Sequence, residues 1–316
     1  ILLSPGGNVL YVSNLASGSV MVLDALTGEQ LGRVTVGKNP EGMALSADGS
    51  TLYVANSDSD SLSILSTAPL TVTATVGLSE GLPTQGHGSP NGVALAPDGS
   101  RVFVSEAGLN RIRVIDVATR QVLGAIPTGW YPTELVARPD GLYALSSKGL
   151  GQSQTLHRIP GILSRIPYPD EAALAAFTEQ ADQNNRRSTE FFAPACAPES
   201  IPVLSGADSP IRHVVLIVRE NKTYDMVLGD LPGANGDPDL VVFGTEYTPN
   251  LHALAADFVN LDNYYSNPEG SIQGHQWTTM ASCNDYVEKV WMDQLPLVGW
   301  EPASLPEADS IFDACF

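Results

Sequence analysis

Positive charge is what this sequence has least of: 16 lysines and arginines stand against 35 aspartates and glutamates, for a formal net charge of −19. Such a surface repels phosphate backbones and anionic lipid, which excludes nucleic acid and an anionic membrane as partners. Cysteine is scarce as well. Cys196, Cys283 and Cys315 are an odd set without metal-site spacing, so at most one disulfide is expected and the chain is no disulfide scaffold. Long apolar runs are missing, and nothing approaches the ~18 residues that span a bilayer, so no transmembrane segment is expected. No signal peptide is visible, but the first residues already lie inside a repeat, so its absence says little about export. The acidic balance fits a periplasmic or extracellular protein that binds cations.

What is present is enough apolar material for packed cores. Hydrophobic residues make up 43% of the 316, and that length predicts two domains. The first part is a repeat array. Leu3-Ser-Pro-Gly-Gly-Asn-Val-Leu-Tyr-Val-Ser-Asn14 returns as Leu45 to Asn56 and as Leu95 to Glu106, with a degenerate copy at Ala137 to Tyr143. Tyr11 and Tyr53 lie 42 residues apart, as do Asp98 and Asp140, a period that belongs to propeller blades. Each unit carries an Asp-Gly or Gly-Gly hairpin turn between short strands, and a third and fourth strand follow in stretches such as Ser19–Asp24 and Gln30–Gly37. About three and a half units are visible, fewer than a closed ring of four to eight blades needs. The chain therefore reads as a piece of a longer protein, or as a ring completed by another segment.

Several stretches between and around the units carry open alternatives. The third unit is longer by eight residues, within Leu78 to Pro90, where His87 is either a ligand-facing residue or part of a solvated loop. Trp130-Tyr131-Pro132 either stacks on a partner or packs between blades. Ile159 to Pro167 offers one more strand. Asp170 to Asp182 predicts a helix, with acids in its first turn and Leu174, Phe177 and Ala181 at helical spacing. Pro194, Pro198, Pro202 and Pro210 mark an extended linker. The expected organisation is thus blades over 1–168, a helix and proline-rich linker over 169–209, and a different domain over 210–316.

That last region reads as layered α/β. Ile211 to Val218 is an unbroken apolar run of strand length, expected to be buried on both faces in a parallel sheet. Its carboxyl end delivers Glu220 and Asn221, oxygen donors suited to a divalent cation; a solvated turn is the plain alternative. Gly229 to Asp239 is an acidic, glycine-rich surface loop. Thr248-Pro249 opens a helix, Phe258 to Tyr265 reads as a second strand, and a helix from Ser271 runs to about Val290, with Met280, Cys283, Val287 and Val290 as its buried stripe. Cys283 is expected to pack there as a small hydrophobe. Ser271 thereby opens a helix, where free N–H groups favour a phosphate or a forming alkoxide; an ordinary N-cap is the alternative. His275, one turn on, either orients that phosphate or bonds the preceding loop.

Glu220-Asn-Lys-Thr-Tyr-Asp225 resembles the Glu-Asn-Arg-Ser/Thr-Phe/Tyr-Asp signature of the phosphoesterase family that includes bacterial acid phosphatases and phospholipases C, within the alkaline phosphatase superfamily. Ser271-x-x-Gly274-His275 is similar to the superfamily's nucleophile segment, and the blades look like the Tyr-Val-Thr-Asn (YVTN) type of propeller repeat. The resemblance is to bacterial proteins in which a seven-bladed propeller is fused to such a domain. It implies a partial all-β propeller of four-stranded blades followed by a partial α/β alkaline-phosphatase-like domain. It also implies Ser271 as a transiently phosphorylated nucleophile, Glu220 and Asn221 as ligands of one or more divalent metals (Zn, Ca, Mn or Mg), and Gly270, Ile272 and His275 as phosphate-binding neighbours. The implied substrate is a phosphorylated small molecule or lipid headgroup, with a protein partner allowed on the propeller face. Further metal ligands in this superfamily come from later in the chain, so the 316 residues by themselves are expected to show little activity. A non-catalytic scaffold and a phosphodiesterase or phospholipase C-type enzyme are the alternatives.

Overall fold

The computed structural model describes residues 1–78, 88–150, 160–185, 213–219, 221–264, 271–280 and 283–290. His87 and the body of the long insertion lie outside them. The chain groups into two compact units, one of residues 1–191 with 268–316 and the other of residues 192–267.

The first unit is built from antiparallel sheets that follow one another along the chain. Strands β1 (Leu2–Leu3), β2 (Val9–Asn14), β3 (Ser19–Asp24) and β4 (Gln30–Thr35) form one sheet. Strands β5 (Pro40–Leu45), β6 (Thr51–Asn56), β7 (Ser61–Thr67) and β8 (Leu70–Gly77) form the next, and β9 (Pro90–Leu95), β10 (Arg101–Glu106), β11 (Arg111–Asp116) and β12 (Val122–Pro127) the third. A fourth sheet has three strands, β13 (Pro132–Arg138), β14 (Gly141–Ser146) and β15 (Ile162–Ile166). These are four successive blades of a propeller, and β15 is the extra strand expected between 159 and 167.

Local chemistry sets each hairpin. Asp48 Oδ1 accepts the Ser50 amide at 3.0 Å and Asp98 Oδ1 the Ser100 amide at 3.0 Å, closing the turns between first and second strands. Asp24 Oδ1 takes the Thr27 amide at 2.7 Å, and Asp116 Oδ1 the Thr119 amide at 2.7 Å, between third and fourth strands. These short polar side chains imitate a backbone turn and leave the amides satisfied. The same bonds hold the carboxyls of Asp24, Asp98 and Asp116 below their usual range, and at Asp48 the Ser46 hydroxyl leads, followed by the Ser50 amide.

The cores lie between blades. Tyr11, Val20 and Val22 of the first blade pack on Leu52, Val54 and Leu65 of the second. Tyr53, Ala55, Leu62 and Ile64 on the second blade's other face meet Val93, Val102, Val104 and Ile115 of the third. Alternation along each strand thus sends successive residues into two different cores. Phe103, Ile112 and Ile126 of the third blade then pack on Leu135, Leu142 and Ala144 of the fourth, together with Leu174. Leu174 comes from helix α1 (Glu171–Asn184), whose N-cap Asp170 accepts the Ala173 amide at 2.8 Å. Helix α1 lies on β12, and Thr178 Oγ1 accepts the buried edge-strand amide of Ala125 at 2.9 Å. The helix thus covers the outer edge of the third blade, while the fourth sheet shows three strands among the described residues.

The second unit is mostly turns and short helices. Helix α2 (Tyr224–Leu228) has Thr223 as its cap, and α3 (Pro249–Asp257) begins with proline at its first position. Asp230 Oδ1 pairs with His252 Nε2 at 2.8 Å, which with the Thr245 amide holds the aspartate down at about 2. Here two expectations are corrected. Residues 213–219 form no strand, and Val214, Val215 and Ile217 are exposed. Residues 258–264 form none either, and Phe258, Val259 and Tyr264 are exposed. An apolar run becomes a strand only where a neighbouring strand takes up its amides and carbonyls, and the four sheets of the described residues contain no such neighbour. The α/β alkaline-phosphatase-like layer is therefore not formed among the described residues.

The single helix expected from Ser271 to Val290 is two helices, α4 (Ser271–Met280) and α5 (Asp285–Val290). Asn284 starts the second by accepting the Val287 amide on Oδ1 at 3.1 Å, so the chain breaks at an asparagine cap. Cys283, which precedes α5, and Val287 are buried together against Trp277 and Tyr286, while Met280 of the expected stripe is half-buried.

A polar clamp at the mouth of the blades

The inner strands β5, β9 and β13 run side by side and approach closely. A Cβ on Gly42 would collide with the Asn91 carbonyl oxygen, and one on Gly92 would lie 2.9 Å from Glu134 Cα. Each inner strand opens with proline, at 40, 90 and 132, preceded by a residue with positive φ: Asn39 at 46°, Ser89 at 45° and Tyr131 at 58°. Left-handed backbone is costly outside glycine, and costlier still before proline, so it persists only where the surroundings impose it. These three positions line one end of the blades. There the side chains are polar and buried.

Helix α5 sits in this mouth. Asp285, which is fully buried, accepts on Oδ1 from the Tyr131 hydroxyl at 2.6 Å and from Asn91 Nδ2 at 2.6 Å. Its Oδ2 lies 2.8 Å from Lys289 Nζ without a well-directed hydrogen bond. Lys289 also reaches Glu41 Oε2 at 3.2 Å and donates to Asn91 Oδ1. Lys148 Nζ pairs with Glu288 Oε2 at 2.7 Å and stands 5.0 Å from the centre of the Tyr131 ring. Gln273 of α4 donates to the same Glu288 oxygen at 2.9 Å, tying the two helices together. Asn284 Nδ2 reaches Asp58 Oδ2 at 3.4 Å, where Asn39 also donates at 2.5 Å.

Burial and crowding of like charge set the electrostatics. Burial, reinforced by the Asp285 carboxylate and opposed by Lys289, raises Glu41 to about 8. Burial alone would lower Lys289, but Asp285 and Glu41 outweigh it and hold the ammonium above its usual range. The Tyr131 hydroxyl is pushed well up by burial and by Asp285 and Glu288, so it stays a donor. Burial likewise raises the Cys283 thiol, which is free and unreactive as a nucleophile. Behind the mouth, Glu106 holds Arg111 at 2.5 Å and Arg113 at 2.9 Å, all three buried.

Of the residues expected from the sequence to form a site, Asn221, Ser271, Ile272 and His275 are among those described. Glu220 and Gly270 lie outside the described residues. Asn221 is exposed with φ at 66°, in the second unit. Ser271 and Ile272 open α4 and His275 is exposed on it, all in the first unit. Among the described residues no three of His, Cys, Asp and Glu gather to hold a metal, and no helix is long and apolar enough to cross a membrane. Sequence reasoning had left Tyr131 undecided and missed Asn91, Asp285 and Glu41. The one sequence signal for them was the proline recurring at the start of each inner strand.

The family described as lactonase, 7-bladed beta-propeller, matches residues 1–75. Comparison with the curated proteins gives no match. Among solved structures, the hydrazine synthase of Kuenenia stuttgartiensis is 28% identical with a TM-score of 0.44, over 52% of this chain and 44% of that one. A protein of Bacteroides uniformis provisionally assigned as a 6-phosphogluconolactonase is 18% identical with a TM-score of 0.39, over 45% of each chain. The chain thus spans less than half the length of these structures. The class that the sheets and the matched family model define is a β-propeller, represented by four blades among the described residues.

Proposed function

We propose that the protein is a propeller-borne phosphoesterase, cleaving phosphate monoesters through a phosphoserine at Ser271. The observation that carries this reading is that α4 begins at Ser271, the residue singled out by its likeness to a nucleophile segment. At the first turn of a ten-residue helix the backbone amides have no partners within the helix and point toward the transferring phosphoryl group. The serine oxygen attacks phosphorus, the alcohol leaves, and water later releases phosphate from the serine. The blades contribute by gripping α5, which Gln273 joins to α4. The divalent ion, expected at Glu220 and Asn221, belongs to the same reading. The described residues supply no complete ligand set for it, and no step is assigned to it. A periplasmic or extracellular location goes with this reading.

The test is p-nitrophenyl phosphate turnover with added divalent metal, together with trapping of phosphoserine, in the full protein and its Ser271→Ala variant. Loss of both by 100-fold or more supports the assignment, and an unchanged rate removes it. A second reading, a non-catalytic binding module, is favoured by the buried polar mouth of the blades, and an unchanged Ser271→Ala rate would select it.

A further inference from the structure

We propose that the mouth of the blades is a binding site for an acidic α-amino acid, and that α5 occupies it as an internal stand-in. This rests on the clamp geometry and not on the Ser271 reading. The Asp285 carboxylate and the Lys289 ammonium touch at 2.8 Å, as the two ends of an α-amino acid do. The blades meet each end with the opposite chemistry. Tyr131 and Asn91 donate to the carboxylate, each at 2.6 Å, while Glu41 faces the ammonium at 3.2 Å. Asn91 serves both ends at once, its amide nitrogen toward the carboxylate and its amide oxygen toward the ammonium. A second carboxylate, that of Glu288, meets Lys148 at 2.7 Å.

Together α5 presents two carboxylates and one ammonium, the charges of glutamate or aspartate. A helix that needed only anchoring is held as well by apolar packing, because desolvating ion pairs offsets most of their attraction. A buried, alternating array of donors and acceptors instead gives specificity for one pattern of charge. Asn91 and Tyr131 are 2% and 9% exposed, and left-handed backbone before proline presets Tyr131 and its neighbours before any ligand arrives.

The experiment is titration calorimetry with L-glutamate, and with glutarate as the same dicarboxylate lacking the ammonium. The triple variant Asp285→Ala, Glu288→Ala, Lys289→Ala should bind L-glutamate at one site, at least tenfold more tightly than the wild type. Adding Glu41→Gln should weaken L-glutamate at least tenfold and leave glutarate unchanged. A cooperatively melting triple variant that gives no L-glutamate heat, or that binds the two ligands alike, overturns the proposal. Should the triple variant not fold, amide exchange in the wild type decides. L-Glutamate should speed exchange across 285–290 beyond an equal concentration of glutarate, and identical exchange overturns the proposal.

Discussion

Glu41→Gln isolates the most perturbed group of the clamp. Glu41 sits in the mouth with Asp285, Lys289 and Asn91 around it, its side chain 17% exposed, and its carboxyl is raised from 4.5 to about 8. A carboxyl raised on folding binds its proton more tightly in the folded state. Its contribution to stability is therefore complete below the unfolded value and is lost as pH rises toward the folded one. The loss runs at about 1.4 kcal/mol per pH unit within the window, so between pH 5 and 8 it has a ceiling of about 4 kcal/mol. Coupling to Asp285 and Lys289 spreads the titration, so about 2 kcal/mol, half of that ceiling, is the expected loss. Glutamine keeps the shape and does not titrate. Urea unfolding of wild type and variant at pH 5, 6.5 and 8 gives the difference, from which titrating groups outside this cluster cancel. The wild type should lose about that much relative to Glu41→Gln on going to pH 8. A difference that is flat with pH, or that grows in the wild type's favour, refutes the reasoning.

Gly92→Ala should destabilise the blades by about 1–3 kcal/mol in urea unfolding, because the new Cβ would meet the backbone of Glu134 and Leu135, and a neutral effect would show that the inner strands are not so close. Phe103→Ala should cost about 3–5 kcal/mol in the same assay, being fully buried between the third and fourth blades. Arg111→Met should cost about 3–5 kcal/mol by leaving Glu106 with one guanidinium fewer in a buried site, and a stabilised variant would mean that the pair is not buried as a unit.

The blades were legible because their signals are local. Asp48 and Asp98 close hairpins with a serine two residues away, and alternation along each strand writes its two faces directly into the sequence. The clamp was not legible for the opposite reason. Asn91 and Asp285 are 194 residues apart and Tyr131 and Asp285 are 154 apart, and no spacing rule connects them. The absence of strands at residues 213–218 and 258–264, where the apolar runs predict them, has a related cause. Apolar composition says that a segment would be buried if a partner strand existed, but it does not supply one.

Helix α5 is held at the mouth of the blades through Asp285. A double-mutant cycle of Tyr131→Phe and Asp285→Asn, read by urea unfolding, measures that contact most directly. The predicted coupling is about 1 kcal/mol or more, as for a buried hydrogen bond to a charged acceptor. Changes that simply add, to within about 0.5 kcal/mol, would place the tyrosine and the aspartate out of contact and contradict the account.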